Sequence, residues 1–209
     1  MHLYRVKTSH LVSKIFYPSL NWEIKTKQKK IFLTFDDGPT PGVTEEVLSL
    51  LEKHQAKATF FLIGDKAARY PDLVLKIREA GHTIGNHTYN HLKGWKTNSD
   101  IYLQNIEKCN SILNSSLFRP PYGKIKSSQI RALKKQYHII MWSVLSGDFD
   151  RSITPQQCYS NVEKNTTKGS IIVFHDSEKA KERMLYALPK TLEKLSSQGY
   201  SFDKISFSR

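Results

Sequence analysis

Two adjacent carboxylates, Asp36 and Asp37, stand at the end of the apolar run Ile31-Phe32-Leu33 and are closed off by Gly38-Pro39. Side chains on a strand alternate between faces, but a strand that breaks into a turn can aim both acids into one cleft. There they can divide labour, one holding a metal and the other moving a proton. An Asp-Asp-Gly-Pro turn also occurs without any chemistry, so the pair gains meaning only from other residues. His87 and His91 are four residues apart. On a helical turn that spacing puts both imidazoles on one face, within reach of one ion; the alternative is a pair of surface histidines. Thr88 stands where a HExxH metalloprotease needs Glu, which excludes that class. Joined to Asp37, the histidines make a divalent-metal site with open positions for water and substrate, as in catalytic zinc sites. Such an ion can bring the pKa of a water to about 7 and polarise a carbonyl. Asp36 beside it is the candidate base. His175, ending Ile171-Ile172-Val173-Phe174, is the candidate acid for a leaving amine, or a histidine that only packs. Arg119, before the rigid Pro120-Pro121-Tyr122 turn, could pair with Asp36 or another acid and set its orientation and pKa, or be an ordinary surface arginine. The turn also offers the Tyr122 N–H to a developing oxyanion.

The elements that must position these groups alternate along the chain. Strands are expected over Lys30–Phe35, Ala58–Ile63, Thr83–Gly85, Leu117-Phe118, His138–Val144 and Ser170–Phe174. Helical spacing is read around Val43, Val47, Leu50 and Leu51, over 71–80, over 100–113, over 127–136 and over 155–165. Leu185, Leu188, Leu192 and Leu195 mark a last long helix ended by Gly199. Strands alternating with helices of this length argue α/β architecture with a parallel sheet, open or closed into a barrel. In such folds the chemistry collects at the C-terminal ends of strands. Asp36, Asp37, His87, Arg119, Asp148 and His175 all fall there, from separate strands.

The 209-residue chain is expected to form one domain, with residues 1–25 as an N-terminal extension and 26–209 as the catalytic unit. Its 39% hydrophobic and 11% aromatic content suits a globular protein. No apolar run approaches the ~18 residues that span a bilayer. Met1–Glu23 shows no h-region or cleavage site, so no signal peptide is read and a cytoplasmic location is expected, with an extracytoplasmic or membrane-peripheral one as the alternative. His10–Leu20 is a basic, apolar stretch that could rest on a membrane surface. Cys109 and Cys158 fit no metal or redox spacing and read as unpaired thiols. The net charge of +13 would attract polyanions such as anionic lipid or acidic cell-wall polymers, or serve solubility alone. No zinc finger, RNP-like motif or phosphate loop is present, so no nucleic-acid partner is expected.

Thr34–Pro39, His87–His91, Arg119–Gly123 and Val173-Phe174-His175 occur in the order and approximate spacing of the polysaccharide deacetylase family (NodB-homology domain, carbohydrate esterase family 4), which the chain resembles from about Lys30 to about Tyr200. The resemblance implies a distorted (β/α) barrel with fewer strands than a TIM barrel. It implies metal-dependent removal of N-acetyl, or else O-acetyl, groups from a glycan such as chitooligosaccharide or peptidoglycan. Zinc is the expected ion, with cobalt, nickel or manganese as alternatives, and a monomer is expected. Carried over by position, Asp36 resembles the base, Asp37, His87 and His91 the metal ligands, and Arg119 the residue that orients the base. Tyr122 resembles the oxyanion donor and His175 the acid. Val173 stands where the family has an apolar residue lining the acetyl-methyl pocket, and Pro121 belongs to the same substrate-facing turn as Tyr122.

One motif departs. The family often has Asp-x-x-Asp-Trp after the strand near Trp142, and this chain has Leu145-Ser146-Gly147-Asp148-Phe149. Asp148 matches the second acid, which partners the catalytic His or the Arg. Leu145 and Phe149 replace the first acid and the Trp, which alters the substrate groove. Asp150 could stand in for the missing carboxylate or be a surface residue, and Trp142 could line the pocket or be core. Phe61, Tyr89, Trp95 and Tyr122 could stack on sugars. Two other functions stay open on sequence alone: hydrolysis of a small non-glycan amide on the same scaffold, and non-catalytic glycan binding.

Overall fold

The computed structural model describes residues 6–7 and 17–207. Its elements run β1 (Lys30–Asp36), α1 (Val43–Lys53), β2 (Ala58–Leu62), α2 (Gly64–Arg69), α3 (Pro71–Glu79), β3 (Thr83–Asn86), α4 (Ser99–Leu113), β4 (Leu117–Phe118), α5 (Ser127–Leu133), β5 (His138–Ile139), β6 (Val144–Leu145), α6 (Pro155–Asn165), β7 (Ile171–His175), α7 (Lys181–Ser197) and β8 (Ser201–Phe202). The strands lie in the order β5-β4-β3-β2-β1-β7-β6, and β8 pairs with the start of β1. Every ladder is parallel. All strands therefore deliver their C-terminal ends to one rim.

Alternation along β1, β2 and β7 separates two buried faces. Ile31, Leu33 and Phe35, Ala58, Phe60 and Leu62, and Ile172 and Phe174 pack outward among helix residues such as Val47, Leu51, Met184 and Leu188. Phe32, Phe61 and Ile171 point the other way, into an interior cluster with Leu117, Ile140 and Ile205. The same inward face carries Thr34 and Asp36, and Val173 and His175, two and four residues further along. Near-continuous apolar strands of this kind are what a sheet covered on both faces requires.

The stretch expected as one strand over His138–Val144 is instead two short ones at opposite edges of the sheet. Between them the chain crosses the barrel seam. The Ile140 N–H donates to Phe118 O at 2.8 Å on one side, and the Ser143 N–H donates to Ile171 O at 3.1 Å on the other. A seam has too few strand neighbours to satisfy its backbone, so other partners are needed. Part of the 1–25 stretch supplies them: Asn21 bridges to Ile140, Lys7 to Val144 and Glu23 to Ser170. Leu20 is buried with Tyr137, Ile139 and Met141. Of the surface-lying segment expected over His10–Leu20, residues 10–16 lie outside the described residues. Among the described residues no helix is long and apolar enough to cross a membrane.

One further detail differs from expectation. The helix α2 had no periodic apolar signal and follows β2 directly. Cys109 and Cys158 are both buried and unpaired, as expected.

Candidate active site

The rim gathers all six polar candidates. Asp36 ends β1, and Asp37 takes a left-handed backbone (φ 76°) that swings its carboxylate back toward the cleft. That conformation is uncommon for a residue with a Cβ, and it is held from behind. Lys66 of α2 donates to Asp37 O at 2.8 Å and to Thr40 Oγ1 at 3.1 Å.

His87 and His91 are not on a helical turn. They sit in a loop after β3 with left-handed residues at Thr88 (φ 63°) and His91 (φ 56°). Asparagines hold this shape: Asn86 Oδ1 accepts from the Thr88 N–H at 2.8 Å, and Asn105 Oδ1 accepts from Tyr89 and Asn90 at 2.8 and 3.1 Å. The first N–H groups of α2, which no helix satisfies internally, donate to Thr88 O and Tyr89 O at 3.0 Å. The loop still brings the rings together, with centroids 5.1 Å apart.

Asp37, His87 and His91 each offer a ligand atom, all within 4.8 Å of one another. His87 Nδ1 donates to Arg119 O at 2.8 Å, which leaves Nε2 as a lone pair facing the acids. Burial above all keeps His87 neutral, with its pKa pushed down to about 4. Asp37 Oδ1 is buried and takes no hydrogen bond, although His91 Nε2 lies 3.1 Å away and His87 Nε2 3.7 Å away. Burial opposes ionisation of Asp37, but His91, His175 and His87 together hold its carboxyl well below the usual range. An orphaned buried carboxylate oxygen facing imidazole nitrogens is the donor set a divalent cation would complete.

Asp36, only 3% exposed, is fixed by the fully buried Arg119, whose Nη1 donates to Asp36 Oδ1 at 2.7 Å. Arg119 also donates to Thr34 Oγ1 at 2.7 Å, to Met141 O at 2.9 Å and to Ile140 O at 3.3 Å. The guanidinium thus closes the seam carbonyls and orients Asp36 with one rigid fork. Its plane lies over Phe61, 4.1 Å from the ring centre. Asp36 Oδ2 faces His87 Nε2 at 4.0 Å.

On the neighbouring strand, His175 ends β7 beside Asp36 in the ladder. The buried Asp148 accepts twice from it, from Nδ1 and from the backbone N–H, both at 2.7 Å. Burial works against a charge on His175. The Asp148 carboxylate overcomes this, with Asp37 and Asp36 adding to it, and the pKa rises to about 9. Phe149, in place of the Trp, packs edge-on to His175 with ring centroids 5.2 Å apart. Leu145 pairs in register with Val173 and is buried, so an apolar contact replaces the first acid. Asp150 accepts from Ser152 at 2.7 and 2.9 Å within its own loop. Trp142 is half-buried between two core clusters, 6.0 Å from the Arg119 guanidinium.

Of the four stacking candidates, Phe61 is fully buried and Tyr89 packs against the core, whereas Trp95 and Tyr122 are 52% and 56% exposed. Pro121 is buried and Tyr122 is left-handed (φ 59°), which turns the ring to within 4.7 Å of His91.

The sequence reading missed Asp176. It is fully buried behind the Asp36-Asp37-Gly38 turn, accepting from Thr44 Oγ1 at 2.6 Å. A Cβ on Gly38 would meet Asp176 Oδ2 at 2.1 Å, so only glycine fits there. An acid next to His175, followed by no apolar pattern, was the available signal.

Residues 23–139 match the family model described as "Polysaccharide deacetylase". The chain belongs to the polysaccharide deacetylase family. It is 36% identical over 197 residues to a peptidoglycan-N-acetylglucosamine deacetylase of Bacillus cereus, covering 90% of this chain and 91% of that one. The solved structure of the Bc1960 peptidoglycan N-acetylglucosamine deacetylase matches with a TM-score of 0.86 at 33% identity, over 92% of this chain and 94% of that one. The family resemblance and the distorted (β/α) barrel expected from the motifs are thereby borne out. A family pseudoenzyme from Bacillus anthracis, BA3943, also shares the fold, with a TM-score of 0.76 at 27% identity over 88% of this chain and 66% of that one. Fold and chemistry can therefore part company within the family, and the residues in the cleft must carry the argument for chemistry. This family's deacetylases depend on a metal, and Asp37, His87 and His91 offer one a place.

Proposed function

We propose that this chain hydrolyses the N-acetyl groups of N-acetylglucosamine residues in peptidoglycan, with zinc as its ion. The observation that carries the hydrolytic reading is that two proton-handling groups, each held by its own partner, end adjacent strands at one rim. Asp36 is held by Arg119, and His175 is held charged by Asp148. The names of the similar proteins support the substrate.

Asp37, His87 and His91 would hold the ion, and two imidazoles with one carboxylate suit zinc. Bound there, it would supply Lewis-acid polarisation of the acetyl carbonyl and a more acidic water. Asp36 accepts the proton of the attacking water through Oδ2, since Oδ1 is committed to Arg119. The Tyr122 N–H, presented by its left-handed backbone, donates to the oxyanion of the tetrahedral intermediate. Val173, on the inward face two residues before His175, shapes the pocket for the acetyl methyl. His175 donates the proton on Nε2 to the departing nitrogen, because Nδ1 is bound to Asp148. The C–N bond breaks, and acetate and a glucosamine amine leave. Peptidoglycan lies outside the cytoplasm, so this reading favours the extracytoplasmic alternative over the cytoplasmic expectation.

Acetate release from N-acetylglucosamine oligomers, peptidoglycan and acetylated xylan by zinc-loaded protein tests the substrate class. Release from the first two and not the third is expected. Release only from the xylan would replace the reading with an O-acetyl esterase, and release from a small non-glycan amide alone would replace the glycan.

A further inference from the structure

The loop after His91 and the turn after Arg119 meet beside the site and carry a wall of two aromatic rings that the reaction does not use, although the Tyr122 backbone serves it. Trp95 and Tyr122 are more than half exposed there, two large aromatic side chains on sequence-distant loops that meet. Each carries a lysine on its face. Lys93 Nζ lies 4.6 Å from the centre of the Tyr122 ring, and Lys124 Nζ 4.2 Å from the Trp95 ring. The rings are themselves anchored. The Trp95 indole N–H donates to Ile125 O at 2.8 Å, and Tyr122 leans on His91 with ring centroids 4.7 Å apart. Beneath them, Gly94 packs so close to Lys124 O that a Cβ would approach it to 2.5 Å. Lys126 ties the two loops together by donating to Thr97 O at 2.7 Å.

A solvated lysine normally spreads over many rotamers. Lys93 and Lys124 rest on aromatic faces, as Lys29, Lys108, Lys179 and Lys190 do elsewhere, and such contacts partly order an ammonium. Neither forms an ion pair with a carboxylate among the described residues. The wall therefore presents two ordered cations without anions, beside the proposed metal ligand His91. With one face of Tyr122 covered by Lys93, the ring serves the cation more than a sugar.

From this we infer that the Trp95–Tyr122 wall is a carboxylate-reading subsite. It takes a glycan in which a sugar near the acetamido residue being processed bears an ionised carboxylate, as a lactyl-ether sugar does. Lys93 and Lys124 are its specificity-determining residues. The inference rests on the glycan-deacetylase reading above and adds to it the charge of the neighbouring sugar. An exposed lysine–carboxylate pair is a modest contact, so two of them should favour the charged glycan by about three- to tenfold in kcat/KM.

The experiment compares zinc-loaded enzyme on two tetrasaccharides of alternating N-acetylglucosamine and N-acetylmuramic acid, one with free carboxylates and one with the same carboxylates methyl-esterified. The ratio of the two kcat/KM values is the readout, so any general loss in a variant cancels. We expect a ratio of about three to ten in the wild type, carried by KM and shrinking as NaCl rises. It should approach one in the Lys93→Gln/Lys124→Gln double variant and survive in Lys93→Arg/Lys124→Arg. A wild-type ratio of one, or a ratio that persists in the glutamine variant, overturns the subsite while leaving the deacetylase reading intact. Absence of acetate from both glycans and from N-acetylglucosamine tetramer overturns the deacetylase reading and the subsite with it.

Discussion

Replacing Asp148 by Asn should move the alkaline limit of the reaction and leave its acid side nearly alone. His175 must enter the cycle charged to protonate the leaving nitrogen. Its pKa of about 9 exists because Asp148 outweighs the burial that disfavours the charge. Asparagine has one acceptor where Asp148 uses two, so when its oxygen takes the Nδ1–H its amide nitrogen faces the His175 backbone N–H, a placement cost felt at every pH, and the anion is gone. The value should then fall to about 6.5, where the burial that lowers it stands against the smaller lifts of Asp37 and Asp36. That is a drop of about 2.5 units, or about 3 kcal/mol. At pH 8 about nine-tenths of the wild-type histidine carries its proton, against about 3% at a pKa of 6.5, a loss of about 30-fold. At pH 6 the two enzymes should differ by less than about twofold through this cause. An ion held by Asp37 would cancel part of the lift from that side, yet the larger share comes from Asp148 and stays. The assay is kcat for acetate release from pH 5 to 10 with saturating zinc, together with NMR titration of the His175 ring. An Asp148→Asn alkaline limb coincident with that of the wild type would refute the reasoning. An equal loss at every pH would show that Asp148 acts by placement and not by charge.

Asp36→Asn should lose about 10²–10⁴-fold in kcat while binding one zinc per chain, because it removes a base and no ligand; metal analysis beside the rate decides this. Asp37→Ala should lose the ion, read as a rise in the zinc dissociation constant by titration calorimetry. Arg119→Ala strands Asp36 in the core and leaves the seam carbonyls unpaired, so unfolding in urea should come about 3–5 kcal/mol earlier; a loss below 1 kcal/mol would contradict its place in the fold. Burial pushes Asp176 up to about 7 against the opposing Thr44 hydrogen bond and Lys66. The folded state therefore holds a proton that the unfolded chain has released, and this contribution is full below about pH 4 and lost as pH rises through about 7. Asp176→Asn should flatten that slope, worth at most about 4 kcal/mol, in urea titrations at pH 5 and 8.

Much of the cleft was legible because its residues mark strand ends, where parallel βα topology concentrates chemistry. Asp36, Asp37, Arg119 and His175 could be read from apolar runs that stop at a polar residue. The histidine pair was legible as a pair but not in its shape. Its loop is held by Asn86 and by Asn105 from α4, a partner 14 residues beyond His91, and spacing carries no trace of such a contact. The helix α2 was invisible because its six residues bury only Gly64 and Ala67, too few for a period. The single strand expected over His138–Val144 divides because the barrel must bend there to close, and both halves are apolar. Asp176 escaped notice because a buried acid is recognised by its partners, Thr44 and Gly38, which lie on the far side of the chain. Leu145 and Phe149 were visible as departures, yet only the structure shows that an apolar wall and an edge-on ring against His175 take the place of the acid and the indole.

The most direct test is acetate released from peptidoglycan per mole of zinc-loaded protein, measured beside Asp36→Asn protein of verified zinc content. The account predicts sustained turnover by the wild type and at least a hundredfold less by the variant at equal zinc, the lower bound for loss of a general base. Equal turnover by the two proteins would contradict it, as would a fully zinc-loaded wild type that releases no acetate from peptidoglycan or from N-acetylglucosamine oligomers.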